Sequence, residues 1–204
     1  CSCGQNPVSK NQATTISVVN DSFFNPMPEA EIKKYRQEIS DYYDTNLAGK
    51  GFNGSIIVAK NGQVLFEDYK GIYNFATREP ITEHTPFHLA SISKTFTGMT
   101  VLKLWEEGRI SLDDSLQKFF PKLPYHGVTI KMLLNHRSGL PNYLYFMDSC
   151  WNKKVKATNW DVVNFMIEHK PAADVLPGKS YHYCNTNFIL LALVVEIVTQ
   201  QPFP

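Results

Sequence analysis

The 204-residue sequence predicts an α/β fold in which a short antiparallel hairpin adjoins a mainly helical second part. Three observations carry this expectation. Two β-rich runs, Ser55 to Lys60 and Gln63 to Tyr69, flank Asn61-Gly62. Asn-Gly between such runs is a strong hairpin signal because both residues accept positive φ. Beyond Pro86, apolar residues recur at helical spacing in segment after segment. With 43% hydrophobic and 19% charged residues the chain is globular in composition.

Taken in order, residues 1–27 lack periodicity and read as a tether or linker. Pro28 to Ala48 places Ile32, Tyr35, Ile39, Tyr42 and Tyr43 on one helical face. The hairpin follows. A helix is expected from Ser91 to about Glu107, with Gly108 as its C-cap. Thr129 to Asn135 is a short helix capped by Thr129. His136 to Tyr145 is a loop, Thr158 to His169 another amphipathic helix, and Asn185 to Gln200 a helix apolar enough to be buried. The organisation is therefore a linker and one domain over 28–204, divided into a sheet-side part, 28–90, and a mainly helical part, 91–204. A lone hairpin is marginal in water. Further strands of a central sheet are expected from residues beyond 204 or from another chain.

The formal net charge of +1 gives no basic excess for nucleic acid or an anionic membrane. The longest apolar run, Phe188 to Val195, is too short to span a bilayer. Of the four cysteines, Cys1, Cys3, Cys150 and Cys184, none forms a C-x-x-C pair, which argues against a zinc or dithiol site. Gly49-Lys50-Gly51-Phe52-Asn53-Gly54 matches G-x-G-x-x-G, but it follows a helix and opens a strand, the reverse of a dinucleotide site. Gly178-Lys179-Ser180 lacks the first glycine and the strand of a P-loop. His84 and His88 have the spacing of a helical metal pair, but Pro86 between them opposes a helix.

Ser-x-x-Lys occurs twice, at Ser91-Ile92-Ser93-Lys94 and Ser115-Leu116-Gln117-Lys118. Ser115 follows Leu112-Asp113-Asp114 and reads as a solvated turn. Ser91 begins a helix, so Lys94 shares its face and can reach its hydroxyl. A serine hydroxyl needs a base before it attacks a carbonyl. A helix N-terminus offers N–H groups and a positive dipole end to an oxyanion. Alone, Ser91 reads equally as a helix cap.

The stretch Phe87-His88-Leu89-Ala90-Ser91-Ile92-Ser93-Lys94-Thr95-Phe96-Thr97-Gly98 resembles the active-site helix of class C β-lactamases and their relatives among penicillin-binding proteins, D-alanyl-D-alanine carboxypeptidases, esterases and D-amino-acid peptidases. Leu133-Leu134-Asn135-His136-Arg137-Ser138-Gly139-Leu140-Pro141 resembles a later loop of that family. Pro177 to Phe188 resembles the segment with its Tyr-x-Asn motif, here Tyr183-Cys184-Asn185. The resemblance covers about 30–204 and implies a β-lactamase/transpeptidase-like fold with a central antiparallel sheet. It implies Ser91 as the acylated nucleophile, Lys94 and Tyr183 as shared general base, and Asn185 hydrogen-bonded to Lys94 and to the substrate's acyl-side amide. The Ser91 N–H would be one oxyanion donor, and no metal or organic cofactor would be needed. Cys184, often Ser in the family, reads as a small buried residue.

The family's third element, Lys-Thr-Gly or His-x-Gly on a strand lining the site, has no counterpart after Tyr183; Lys60-Asn61-Gly62 fits only superficially. That strand also supplies the second oxyanion donor, so this chain alone is expected to be a poor catalyst. The implied reaction is acyl transfer from a β-lactam, D-Ala peptide or ester to Ser91, through an acyl-Ser91 intermediate that water hydrolyses. The alternative is a binding or scaffold protein that has lost turnover. The Cys1 start and the polar run to Asn20 suggest a lipid-bearing cysteine with a tether, hence a bacterial cell-envelope protein, periplasmic or lipid-anchored and facing outward. An arbitrary boundary accounts for the same start.

Overall fold

The computed structural model describes residues 25–148 and 150–203. Cys1, Cys3 and the expected lipid attachment lie outside them. The chain divides into two units, with the division between Phe87 and His88, three residues before the boundary expected from the sequence.

In the first unit, α1 (Glu29–Asn46) begins after Pro28 and presents buried Ile32 and Tyr43. A single 3₁₀ turn, Ala48–Lys50, ends at left-handed Gly51 and leads into β1. This is where the G-x-G-x-x-G match falls, in a helix-to-strand turn. β1 (Gly54–Lys60) pairs antiparallel with β2 (Gln63–Lys70), from Gly54↔Lys70 to Lys60↔Gln63. Asn61 and Gly62 both take positive φ, 50° and 74°, as the tight turn requires. α1 covers one face of the hairpin, for which further strands were expected from the sequence. Its Ile39, Tyr42 and Tyr43, with Leu47 just beyond its end, face Ile56 and Val58 across a hollow of about 300 Å³. Tyr43 packs edge-on to Phe52 and tilted against Phe66, and its hydroxyl bonds the Asp68 carboxylate. That bond holds the Tyr43 phenol up at about 12. A second ladder, β3 (Ile72–Asn74) with β4 (Glu79–Pro80), was not expected from the sequence. Its strands are too short to show a two-residue period.

The second unit is helical. A 3₁₀ turn, Ala90–Ile92, runs into α2 (Ser93–Glu106). Ser91 therefore lies in the turn ahead of the helix, not at the expected first helical position. Gly108 takes the left-handed conformation two residues beyond α2. α3 (Leu116–Phe119) was not expected; Ser115 caps it, accepting from the Gln117 N–H. α4 (Ile130–Leu134) starts at Thr129, whose hydroxyl accepts from the Met132 N–H. α5 (Tyr143–Phe146) occupies part of the expected loop, capped by Asn142. α6 (Asn159–His169) carries a capping box, Thr158 and Asp161 each accepting the other's backbone N–H. α7 (Thr186–Thr199) follows from Asn185.

The core of this unit is built around α7. Leu190, Leu191, Leu193 and Val194 are sealed against Val101 and Leu104 of α2, Ile130 and Leu133 of α4, and Val162, Val163 and Met166 of α6. α7 is buried on most sides along its middle, which explains why residues 188–195 are apolar all round. At its C-terminal end the Arg109 guanidinium donates to the Val198 carbonyl at 2.6 Å, a cation where helix carbonyls lack partners. Among the described residues no helix is long and apolar enough to cross a membrane.

Leu191 has no exposed surface. Leu191→Ala leaves a cavity at the centre of this core and should cost about 2–5 kcal/mol. Urea denaturation measures it, and a loss under about 1 kcal/mol would mean that the core closes around the deletion.

Candidate active site

Two segments of the helical unit make the site. The first is the Ala90–Ile92 turn with the first turn of α2. Ala90 has φ of 46°, an uncommon backbone state for a residue with a Cβ. The bend precedes Ser91, which stands exposed at the head of α2. Lys94 lies one turn on and donates to Ser91 Oγ at 3.0 Å. The second segment is the strip 174–185, which enters α7 and carries Tyr183. The Tyr183 hydroxyl lies 2.7 Å from Ser91 Oγ. Ser91 Oγ is therefore held between an amine and a phenol from different parts of the chain.

Hydrogen bonding by Lys94 first, and by Ser91 second, pulls the Tyr183 phenol below its ordinary value. The Lys94 ammonium also lies 5.1 Å from the Tyr183 ring centroid and 5.8 Å from that of Phe188. With Lys94 donating into Ser91 Oγ, the serine proton is free to point at the Tyr183 oxygen. Chemically, an amine and a phenol so placed can take a proton from a serine without an imidazole.

Asn185 lines a hollow of about 250 Å³ with Lys94, Tyr143, Asn159 and Phe188. Its side chain makes no hydrogen bond among the described residues, so the expected bond to Lys94 is not formed. Cys184 is buried as expected. Its thiol approaches the Pro141 carbonyl at 3.6 Å, and burial pushes its pKa up. The second Ser-x-x-Lys is a different object: Lys118 pairs with Asp114 at 2.7 Å, and Ser115 caps α3. Among the described residues no cluster of His, Cys, Asp and Glu is arranged to hold a metal.

The strip is pinned to the turn after α4. Gly139 O accepts from Asp174 N at 2.9 Å, Arg137 O from Gly178 N at 2.8 Å, and His136 O from His182 N at 2.7 Å. Below them, Ser138 donates to Asn187 Oδ1 at 2.6 Å, and Thr186 donates to the Pro141 carbonyl at 2.7 Å while accepting from Tyr143 N at 2.9 Å. Gly139 is required here: φ is 72°, and a Cβ would lie 1.9 Å from the Val175 oxygen. In sequence this stretch carried the family resemblance alone, with no part in the site expected of its residues. The available signals were Gly139 before Leu-Pro and the polar Thr186-Asn187 at the head of an apolar run; the burial of Ser138, Thr186 and Asn187 is seen only in the structure.

The Beta-lactamase family model matches residues 40–204, and the chain belongs to that family. It is 32% identical over 161 residues to penicillin-binding protein 4* of Bacillus subtilis (strain 168), covering 79% of this chain and 36% of that protein. It is 33% identical over 157 residues to protein flp of Staphylococcus aureus (strain MRSA252), covering 73% of this chain and 30% of that one. The chain thus spans about a third of the length of these curated relatives. Among solved structures, a penicillin-binding protein from Bacillus halodurans superposes with a TM-score of 0.61 at 29% identity, over 81% of this chain and 51% of that one. FmtA from Staphylococcus aureus superposes with a TM-score of 0.68 at 25% identity, over 90% and 50%. The fold is the β-lactamase/transpeptidase-like fold in part, with helices and small antiparallel ladders.

Two outcomes test this geometry. Lys94→Ala should raise the Tyr183 phenol pKa, because the hydrogen bond and the cation that favour the phenolate are both removed. Site-resolved NMR of labelled tyrosine, assigned with Tyr183→Phe, reads the shift; an unmoved titration would mean that Lys94 does not act on Tyr183. Gly139→Ala should destabilise the fold by about 1–3 kcal/mol through backbone strain, measured by urea denaturation. Wild-type stability would mean that Val175 gives way freely.

Proposed function

We propose that this chain carries the nucleophilic half of a serine acyl-transfer site. The observation that carries the reading is Ser91 Oγ between Lys94 Nζ at 3.0 Å and Tyr183 Oη at 2.7 Å. In this reading Tyr183, held as a phenolate by the adjacent Lys94 ammonium, takes the proton of Ser91 Oγ as that oxygen attacks a carbonyl carbon. The Lys94 ammonium stabilises the resulting charge. The proton returns through Tyr183 to the departing nitrogen or oxygen, leaving acyl-Ser91. Water then attacks the acyl carbon, giving a proton to the Tyr183 oxygen; Ser91 Oγ leaves with that proton, and the carboxylic acid is released. The Ser91 N–H, at the head of α2, contributes one oxyanion donor.

The substrate reading is an acyl compound of the β-lactam, D-amino-acid amide or ester type. Membership of the Beta-lactamase family supports it. So does the likeness to a protein named for penicillin binding and to a D-stereospecific amidohydrolase from Streptomyces at 33% identity, over 57% of this chain and 38% of that one, with a TM-score of 0.50. The hollow beside Lys94 and Asn185 is where an acyl-side amide has an amide side chain to bond. One oxyanion donor more or less is worth ~10²–10³ in rate, so the full site requires a second.

Labelling by a fluorescent penicillin or an acylating ester, followed by peptide mass mapping, tests the nucleophile in the full-length protein. Ser91→Ala should take up no label, and Ser115→Ala should label normally while losing about 0.5–2 kcal/mol of stability with its helix cap. Label lost from Ser115→Ala alone reverses the assignment. Stoichiometric label without release of product would identify a binder instead of a hydrolase. Lys94→Ala and Tyr183→Phe should each slow acylation by several powers of ten, and the double variant little more, because groups acting as one unit are non-additive. Additive losses would show two independent roles.

A further inference from the structure

We infer that His136 is the positioning residue that sets Tyr183 against Ser91, and that it does so only as a neutral imidazole with a bare Nδ1. The functional part of this inference rests on the acyl-transfer reading above. His136 sits just past the end of α4 with φ of 56°, a left-handed state that costs free energy and persists only where the surroundings enforce it. What enforces it brackets Tyr183. The His136 carbonyl accepts the N–H of His182 at 2.7 Å, and its Nδ1 accepts the N–H of Cys184 at 3.1 Å. The imidazole itself lies against the Tyr183 ring, centroids 4.5 Å apart and planes 33° from parallel. Phe188 of α7 packs on the same imidazole at 5.2 Å. The residue before Tyr183, the residue after it and its ring are thus all held by His136.

The proton inventory fixes the tautomer. Nδ1 meets two donors, the Cys184 N–H at 3.1 Å and the Asn187 side-chain nitrogen at 3.3 Å. The Asn187 amide is oriented by Ser138, which donates to its oxygen at 2.6 Å and so turns the NH₂ towards His136. The single imidazole proton therefore belongs on Nε2. A second proton would sit on Nδ1 and face both donors.

The charged surroundings also oppose that second proton. From α2 comes the Lys94 ammonium. From the strip come His182, Tyr181, Tyr183 and Cys184, with the Asp174 carboxylate 3.5 Å from the His182 Nδ1. From α7 come Asn187 and Phe188, which carry no charge. Its own segment also carries Lys131 and Arg137. Burial first, then Lys94 and His182, push the imidazole below its ordinary value. The sign follows: the Tyr183–His136 arrangement is complete above the usual histidine value of about 6.5 and comes apart as pH falls through the lowered value. Protonation then frees the Cys184 N–H and moves Tyr183 off Ser91.

Two variants and two readouts test this in the full-length protein. His136→Asn keeps tolerance of positive φ and places a carboxamide oxygen near the Nδ1 position, but cannot gain a proton. His136→Phe keeps the ring and removes the acceptor. By ¹⁵N NMR, wild-type His136 should show a bare Nδ1 and a protonated Nε2 at neutral pH, and the ring stacking on Tyr183 should vanish as Nδ1 is protonated. Acylation of Ser91 by a chromogenic ester should fall on the acid side with the same midpoint. His136→Asn should react more slowly, lacking the ring, but without that acid limb. His136→Phe should lose ~10²-fold in kcat, the scale of a misplaced reacting group, with KM little changed. A protonated Nδ1 at neutral pH, an unaltered acid limb in His136→Asn, or wild-type kcat in His136→Phe overturns the inference. If the wild-type protein never acylates, the acyl-transfer reading fails, and the NMR titration alone decides. Stacking of the two rings that survives protonation of Nδ1 overturns the positioning role, and separation of the rings on protonation upholds it.

Discussion

The site depends on one constraint: buried backbone and side-chain polar groups between the turn after α4 and the strip before α7 must find each other, because water does not reach them. Ser138, Thr186 and Asn187 are buried at 1%, 0% and 0% exposure, and each is hydrogen-bonded within this junction. A buried donor or acceptor left unpaired costs about 1–3 kcal/mol, so few other registers between turn and strip are tolerable. The register in turn sets where the strip delivers Tyr183. Ser91 and Tyr183 are thus exposed, but the groups that bring them together are buried behind them.

The other half of the site is held differently. α2 is fixed by apolar packing of Val101 and Leu104 into the core around α7, with no exposed polar bond needed to hold it. That anchoring lets the turn ahead of it carry an unfavourable backbone angle at Ala90 and still point Ser91 outward. Strain of this kind persists only where the surrounding structure over-determines the backbone. One half is positioned by satisfied polar groups and the other by apolar burial, and Ser91 Oγ lies where they meet.

Much of this was legible in the sequence, for local reasons. Asn61-Gly62, Thr129 and Thr158 are short-range signals whose physics is complete within a few residues, and the hairpin and helix starts follow them. The Ser91–Lys94 relation needs only helical periodicity, and Tyr183 came from motif resemblance. What escaped was either too short for a period, as in α3, α5 and the β3–β4 ladder, or non-local. Nothing near His136 in sequence announces that its Nδ1 meets a backbone N–H 48 residues away. The start of α2 was misplaced by two residues because the 3₁₀ turn at Ala90 uses the same residues that an α-helix would.

α7 combines a buried middle, Leu190 to Val195, with a guanidinium on one of its last carbonyls. Such a segment sits at the top of the molecule's hierarchy of opening free energies, because its amides meet solvent only when the helical unit comes apart. In deuterium exchange its central amides would therefore report global opening of that unit. Short, partly exposed α5 would exchange through local fluctuations. Tyr183 stands at the border between these regimes, three residues before α7: close enough to inherit the helix's slow timescale at its backbone, while its hydroxyl remains open to whatever approaches Ser91.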